Sequence, residues 1–435
     1  MFNQGGLSME QAPPISVVLK FFITASIFGI FFGLSMLLSV TDIFEMPSNT
    51  FEVIVIHTLA LGVMASFMLG ALFQMLPVIA GVVMPKPKIK SILVHLFLVV
   101  GLLSQTIAFY TQLSIFYLSS ALFLGLGLLY ASTHMLKELI KIKDHSSSSK
   151  GMLLSLGSFT LIILLGLYLL LTLGGYTEGR YYMQLKEIHY SFALFGWLSL
   201  LIISISFQVV EMFYVTPKYP TFITKYLVLT IFILLVFKSI ALFLSLPTIG
   251  INIFIVILFI MYAGITIHRL YRRRRPTSDA TVWFWRLGMG LLILSMLSYI
   301  VVLVAPLYVG TGGDNGDSIF MNISYIAYIG FALSIVFAMT YKIVPFLVWF
   351  HLSNQGYMEA PMMHEVIHPK RAKIHFGIHI FMLIFWLISF FTGVEIIAIF
   401  ASLFTIASFA WLFYHLIMAS RKYSYTQKYT EKIEW

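Results

Sequence analysis

The chain has 435 residues, of which 60% are hydrophobic and 10% charged, and its mean hydropathy is +0.95. That balance is too apolar for a water-soluble domain and predicts a polytopic membrane protein in contact with the lipid bilayer. Cysteine is absent, which excludes disulfides, thiolate metal sites and cysteine catalysis. The net charge of +10 does not point to nucleic acid, because the basic residues sit in short loops between apolar runs, where membrane topology accounts for them.

Met1 to Pro14 is polar and carries no cleavable signal pattern, so the first apolar run is expected to be retained. Runs of about 20 apolar residues, enough for a helix to cross the hydrocarbon core, fall at Val17 to Val40, Phe51 to Val83, Ser91 to Tyr110 and Leu113 to Met135. They continue at Met152 to Leu173, Tyr182 to Tyr214, Thr221 to Leu244, Thr248 to Ile267, Val282 to Ala305, Ile319 to Phe350, Ile374 to Phe391 and Ile396 to Ile417. The expectation is an all-α protein with twelve transmembrane helices in one domain and no separate soluble part.

A shift of 134 residues carries Gly62, Phe73, Gln74 and Pro77 onto Gly196, Phe207, Gln208 and Glu211, and a second shift reaches Gly330, Tyr341, Lys342 and Pro345. A fixed period marks repeated units, here 17–140, 151–270 and 282–420, which bury their faces against one another. Alternate loops are basic: Lys86, Lys88 and Lys90; Lys137, Lys141, Lys143 and Lys150; Lys218 and Lys225; Arg269 with Arg272 to Arg275; and Lys370, Arg371 and Lys373. The loops between them hold Asp42 and Glu45, or Asp314 and Asp317. The positive-inside bias then puts both termini in the cytoplasm and the chain in a cell inner membrane.

On that topology His57 and His189, near the outer ends of the second and sixth helices, lie about 10 Å below the outer surface at about 1.5 Å per residue. The other ten histidines fall at or near the cytoplasmic side. An intramembrane imidazole must face protein and find a partner. One reading makes His57 and His189 axial ligands to the iron of a b-type haem, with Gly62 and Gly196 leaving room for something flat. The other has both rings hydrogen-bonded locally and the glycines serving helix packing. Lys238, in the outer half of the seventh helix, either neutralises a haem propionate or snorkels outward. Met64, Met68 and Met75 share a helical face, which suits Cu(I) or simple packing. His364-Glu365-Val366-Ile367-His368 meets the HExxH pattern of zinc peptidases, with His351, His375 or His379 available as a third ligand, yet Pro369 stops a helix from running through it. Gln74, Gln208, Glu211 and Lys342 form an expected inner polar ring, read as an ion route or as a Glu211 to Lys342 pair that locks the helices.

The small-residue helix ending in Tyr341-Lys342-Ile343-Val344-Pro345 and the His57-Thr58 pair twenty residues before Pro77 together resemble the haem-copper oxidase subunit I superfamily, nearest its C-type and NnrS-like members. That resemblance implies three pseudo-symmetric arcs of four helices and a haem position at His57. The family's helix-ten histidines fall on Ile323 and Tyr325, and the helix-seven histidine pair that binds copper has no counterpart in Thr221 to Leu244, so four-electron oxygen reduction is not implied. The expected role is electron transfer, or binding or sensing of a small gas such as nitric oxide. A corresponding electron or gas partner follows, with the chain acting as a homo-oligomer or as one subunit of a complex. The rivals are a non-redox channel or carrier using the central polar residues, and a membrane metallopeptidase.

Overall fold

The computed structural model describes residues 12–40, 49–82, 84–275, 277, 279–309 and 316–432. Asp42, Glu45 and Asp314, three of the four acidic residues assigned to outer loops, lie outside them. Among the described residues twelve helices are long and apolar enough to cross a membrane: α1 (Ile15–Leu38), α2 (Phe51–Ala80), α3 (Pro87–Thr111), α4 (Ser114–Ile140), α5 (Ser147–Leu173), α6 (Tyr182–Tyr214), α7 (Thr221–Phe243), α8 (Ile249–Tyr271), α9 (Ala280–Ala305), α10 (Ile319–Asn354), α11 (Pro369–Thr392) and α12 (Glu395–Tyr429). The chain is a multi-pass membrane protein. Each helix matches an expected apolar run, because hydropathy summed over a helical length decides insertion. The largest difference is at α12, which runs on to Tyr429 through polar sequence. Its extension is held by side chains of the segment after α10, where Gln355 Nε2 donates to Tyr423 Oη at 3.0 Å and Gln427 Nε2 to Gln355 Oε1 at 2.8 Å.

Helix ends follow local chemistry. α2 stops at Gly81, whose φ of 68° only glycine adopts without strain and whose N–H closes on Pro77 O at 3.1 Å. α11 begins with Pro369, whose missing N–H costs nothing in a first turn.

The chain forms two compact units. One contains Asn49–His57 and Ala71–Arg275. In it α3 and α4 meet at Gly101, where a Cβ would lie 2.8 Å from the backbone N of Leu124, and Ser120 Oγ donates to Gly101 O at 3.0 Å. α5 packs on α6 through the Phe159 and Trp197 rings, stacked at 4.0 Å, and through Ser155 Oγ donating to Trp197 O at 3.0 Å. Tyr262 Oη on α8 donates to Ser206 Oγ on α6 at 2.8 Å.

The other unit contains α1, Thr58–Gly70 and the chain from residue 276 onward. Gly29 and Gly33 of α1 let α12 approach closely enough for Phe409 and Ile406 to cover them. α9 and α10 are joined by Ser295 Oγ donating to Ser324 O at 2.8 Å. Small residues at these crossings are what membrane helices use to bring backbones together, since lipid provides no hydrophobic drive between them.

Candidate functional site

Two of the long helices change winding at the same place in the repeat. α2 is α-helical through His57 and then π-helical over Thr58–Ala65; α6 is α-helical through Ser191 and π-helical over Phe192–Ser199. The same 134-residue shift takes Thr58 to Phe192 and Ala65 to Ser199. The repeat seen in the residues is therefore also a repeat of backbone form. The third copy, 326–333 in α10, stays α-helical. π-Segments inside α-helices are frequent at functional sites, and these two directly follow stretches bearing a histidine, whereas a third, Gly125–Leu129 in α4, does not.

The His57 ring Nδ1 lies 2.9 Å from Val53 O, one turn back in its own helix. That bond places the proton on Nδ1 and leaves the Nε2 lone pair free, the tautomer in which a metal-ligating histidine is usually held. Phe109 of α3 sits beside the ring, with centroids 6.4 Å apart. His189 rests on Gly166 of α5, where a Cβ would stand only 3.0 Å from Cε1. His57 and His189 are within reach of each other's charge. His189 Nδ1 is buried without a partner. Two imidazoles from α2 and α6, each with one nitrogen unused, thus share one neighbourhood. That donor set fits a haem iron or another borderline metal, which prefers neutral imidazole.

Gly62 and Gly196 each lie against a neighbouring helix. A Cβ at Gly62 would fall 2.7 Å from Phe28 Cγ of α1, and one at Gly196 would fall 2.8 Å from Ser158 Oγ of α5. Both glycines admit a neighbouring helix, as the packing reading requires. Lys238 neither snorkels nor lies idle. It is 2% exposed, its Nζ donates to Ser191 Oγ at 3.0 Å and lies 3.2 Å from Glu187 Oε1. Ser191 occupies the repeat position of His57, so this ion pair stands where the first copy has its imidazole.

The inner polar residues are spent separately. Lys342 makes its ion pair with Asp279, in the loop before α9, and Glu211 Oε1 accepts from the backbone N–H of Tyr219 at 2.7 Å. Burial alone would raise the Asp279 carboxyl, but the Lys342 ammonium and the hydrogen bonds from Thr281 outweigh it and hold the group below the usual carboxylate range. Gln74 is buried with Oε1 unpartnered. Met64, Met68 and Met75 are all buried, as the packing use of methionine requires.

The HExxH segment is not one helix. His364 and Glu365 lie on a single turn, Met363–Val366; the break comes at Ile367, and His368 caps α11, with Nδ1 accepting from Lys370 N–H at 3.2 Å. Glu365 turns back to accept from Met362 N–H at 2.8 Å. A zinc-peptidase helix must present both histidines one turn apart on one continuous face and keep its Glu free for water. Neither condition holds here. His375 and His379, considered as third ligands, are fully buried inside α11, where Tyr341, Ser408 and Ser334 bond to them. They stand roughly 9 and 15 Å along α11 from Pro369 at about 1.5 Å per residue. Their spacing of four on an otherwise apolar helix was the signal available. No family model matches the chain, and no curated protein is similar to it.

Proposed function

We propose that the chain is an inner-membrane b-type haem protein on a scaffold like that of oxidase subunit I, three arcs of four helices with cytoplasmic termini, serving electron transfer or the binding or sensing of a small gas such as nitric oxide. The observation that carries this reading is the imidazole pair: His57, its Nδ1 tied to Val53 O so that Nε2 is free, within charge reach of His189, whose Nδ1 is buried and unpartnered. His57 and His189 would hold the iron, which supplies one-electron chemistry or a binding position for a diatomic gas. Val53 and Gly166 do the orienting, the first by fixing the tautomer and the second by letting the His189 ring approach α5 closely through Cε1. Phe109 shields one side from water. The Lys238 and Glu187 pair places a charge-compensated ion pair on the element that bears His189, Glu187 lying two residues before it.

Reduced-minus-oxidised spectra of protein purified from haem-replete membranes test the reading. The wild type is expected to show α and Soret bands of a b-type haem, lost in His57→Ala and altered or lost in His189→Ala. A haem-replete preparation with no such bands ends the proposal.

A further inference from the structure

The unit containing α9 to α12 holds three buried histidines that the proposed haem site does not use. His375 of α11 has a hydroxyl at each nitrogen: Tyr341 Oη of α10 lies 3.0 Å from Nδ1, and Ser408 Oγ of α12 lies 2.8 Å from Nε2. One turn further along α11, His379 Nε2 is 2.8 Å from Ser334 Oγ. Because Ser334 gives its own proton to Gly330 O at 2.7 Å, it accepts from His379, and the His379 Nδ1 lone pair is left buried with no partner. His415 of α12 also has a buried, unpartnered Nε2 and lies within charge reach of Arg371, at the start of α11. His375 lies within charge reach of both other imidazoles. Beyond them on the same buried face of α11, near its far end, Ser389 Oγ is likewise buried and unpartnered.

Polar residues between membrane helices are ordinarily adhesive, and that use accounts for bonds such as Trp386 Nε1 donating to Thr405 Oγ1 at 3.0 Å. Adhesion does not account for His379, His415 and Ser389, since a buried polar atom without a partner destabilises a fold by about 1–3 kcal/mol. Three such atoms along one seam, with a doubly bonded imidazole among them, match what stepwise proton transfer needs: groups that accept on one atom, release from another, and keep a site open for the next proton.

We propose that α10, α11 and α12 carry a proton line across the membrane, entered at the Arg371 end, with His415, His375 and His379 as its stations, Tyr341 and Ser408 as the hydroxyls bonded to His375, and Ser334 as the one bonded to His379. Each step forms one N–H or O–H bond as another breaks, so no co-reactant is required. The charged and titratable groups along it are Arg371 and Lys373 at the entrance, the three histidines and Tyr341, while α9 contributes the ring of Phe284 against His375 and His379.

The test is proton uptake by liposomes that contain the purified full chain and a trapped pH dye, driven by a valinomycin-clamped potassium gradient. Wild-type protein is expected to acidify the lumen several-fold faster than protein-free liposomes. His375→Gln, which can still bridge two hydroxyls but cannot relay a proton, and His379→Gln are each expected to return the rate to the protein-free level. Wild-type uptake no faster than that of empty liposomes, or glutamine variants as fast as wild type, overturns the proposal. If His375→Gln fails to purify as a monodisperse protein, His379→Gln decides alone. No residue of this line belongs to the His57 and His189 site, so haem spectra and proton flux stand or fall separately.

Discussion

Lys238 and Glu187 share their ion pair unequally, because the lysine side chain is 3% exposed and the carboxylate side chain 30%. Removing Glu187 strands a buried cation, whereas removing Lys238 leaves a carboxylate that water can reach. Glu187→Gln is therefore expected to cost about 3 kcal/mol and Lys238→Met about 1 kcal/mol, following the general cost of breaking a buried pair from either side. Thermal unfolding in detergent gives the order directly, and the reverse order would refute the assignment of burial. The Asp279 and Lys342 pair has a pH signature. A carboxyl held below its unfolded value contributes stability that is complete above the usual carboxylate pKa and is lost as pH falls through the lowered one. Acidification below about pH 4 should destabilise the wild type, and Asp279→Asn should flatten that acid limb. An unchanged limb in the variant would mean that the pair does not form in the membrane.

Glycines in the helices divide by what they face. At Gly101 the nearest obstacles are the side chain and the backbone N of Leu124, the latter 2.8 Å from a Cβ, and backbone cannot swing aside; at Gly264 in α8 a Cβ would meet nothing within 4 Å. Gly101→Ala is expected to destabilise by about 1–3 kcal/mol through overpacking. Gly264→Ala should be neutral or stabilise by up to about 1 kcal/mol, the helix preference of alanine over glycine. Midpoints of thermal unfolding that moved together would show that the α3 to α4 crossing is looser than described. The paired π-segments belong to this scale too. Their sequences, Thr58-Leu59-Ala60-Leu61-Gly62-Val63-Met64-Ala65 and Phe192-Ala193-Leu194-Phe195-Gly196-Trp197-Leu198-Ser199, share a central glycine and little else. Helix propensity and periodicity describe an α-helix there, since both are local averages and an extra residue per turn is decided by what packs on either side.

Over the whole chain, alternating basic loops make a topological prediction that the absence of cysteine renders easy to test. In sealed right-side-out membrane vesicles an impermeant maleimide should label Glu178→Cys, between α5 and α6, and should leave Lys143→Cys, between α4 and α5, unlabelled until the membrane is opened. Labelling of Lys143→Cys in sealed vesicles would invert the assigned orientation.

Twelve spans, their order and their approximate ends were readable from residues alone, because insertion into a bilayer depends on apolar length summed along one segment. The 134-residue period was readable for the same reason, as it compares the chain only with itself. The tertiary structure decided which groups meet: Lys342 with Asp279, Lys238 with Glu187, His375 with Tyr341 and Ser408, and Gly62 beneath Phe28. Lys342 and Asp279 are 63 residues apart in the chain. Such contacts depend on the rotation and depth of each helix about its neighbours, which are set by the packing of many side chains at once and leave no mark at any single position.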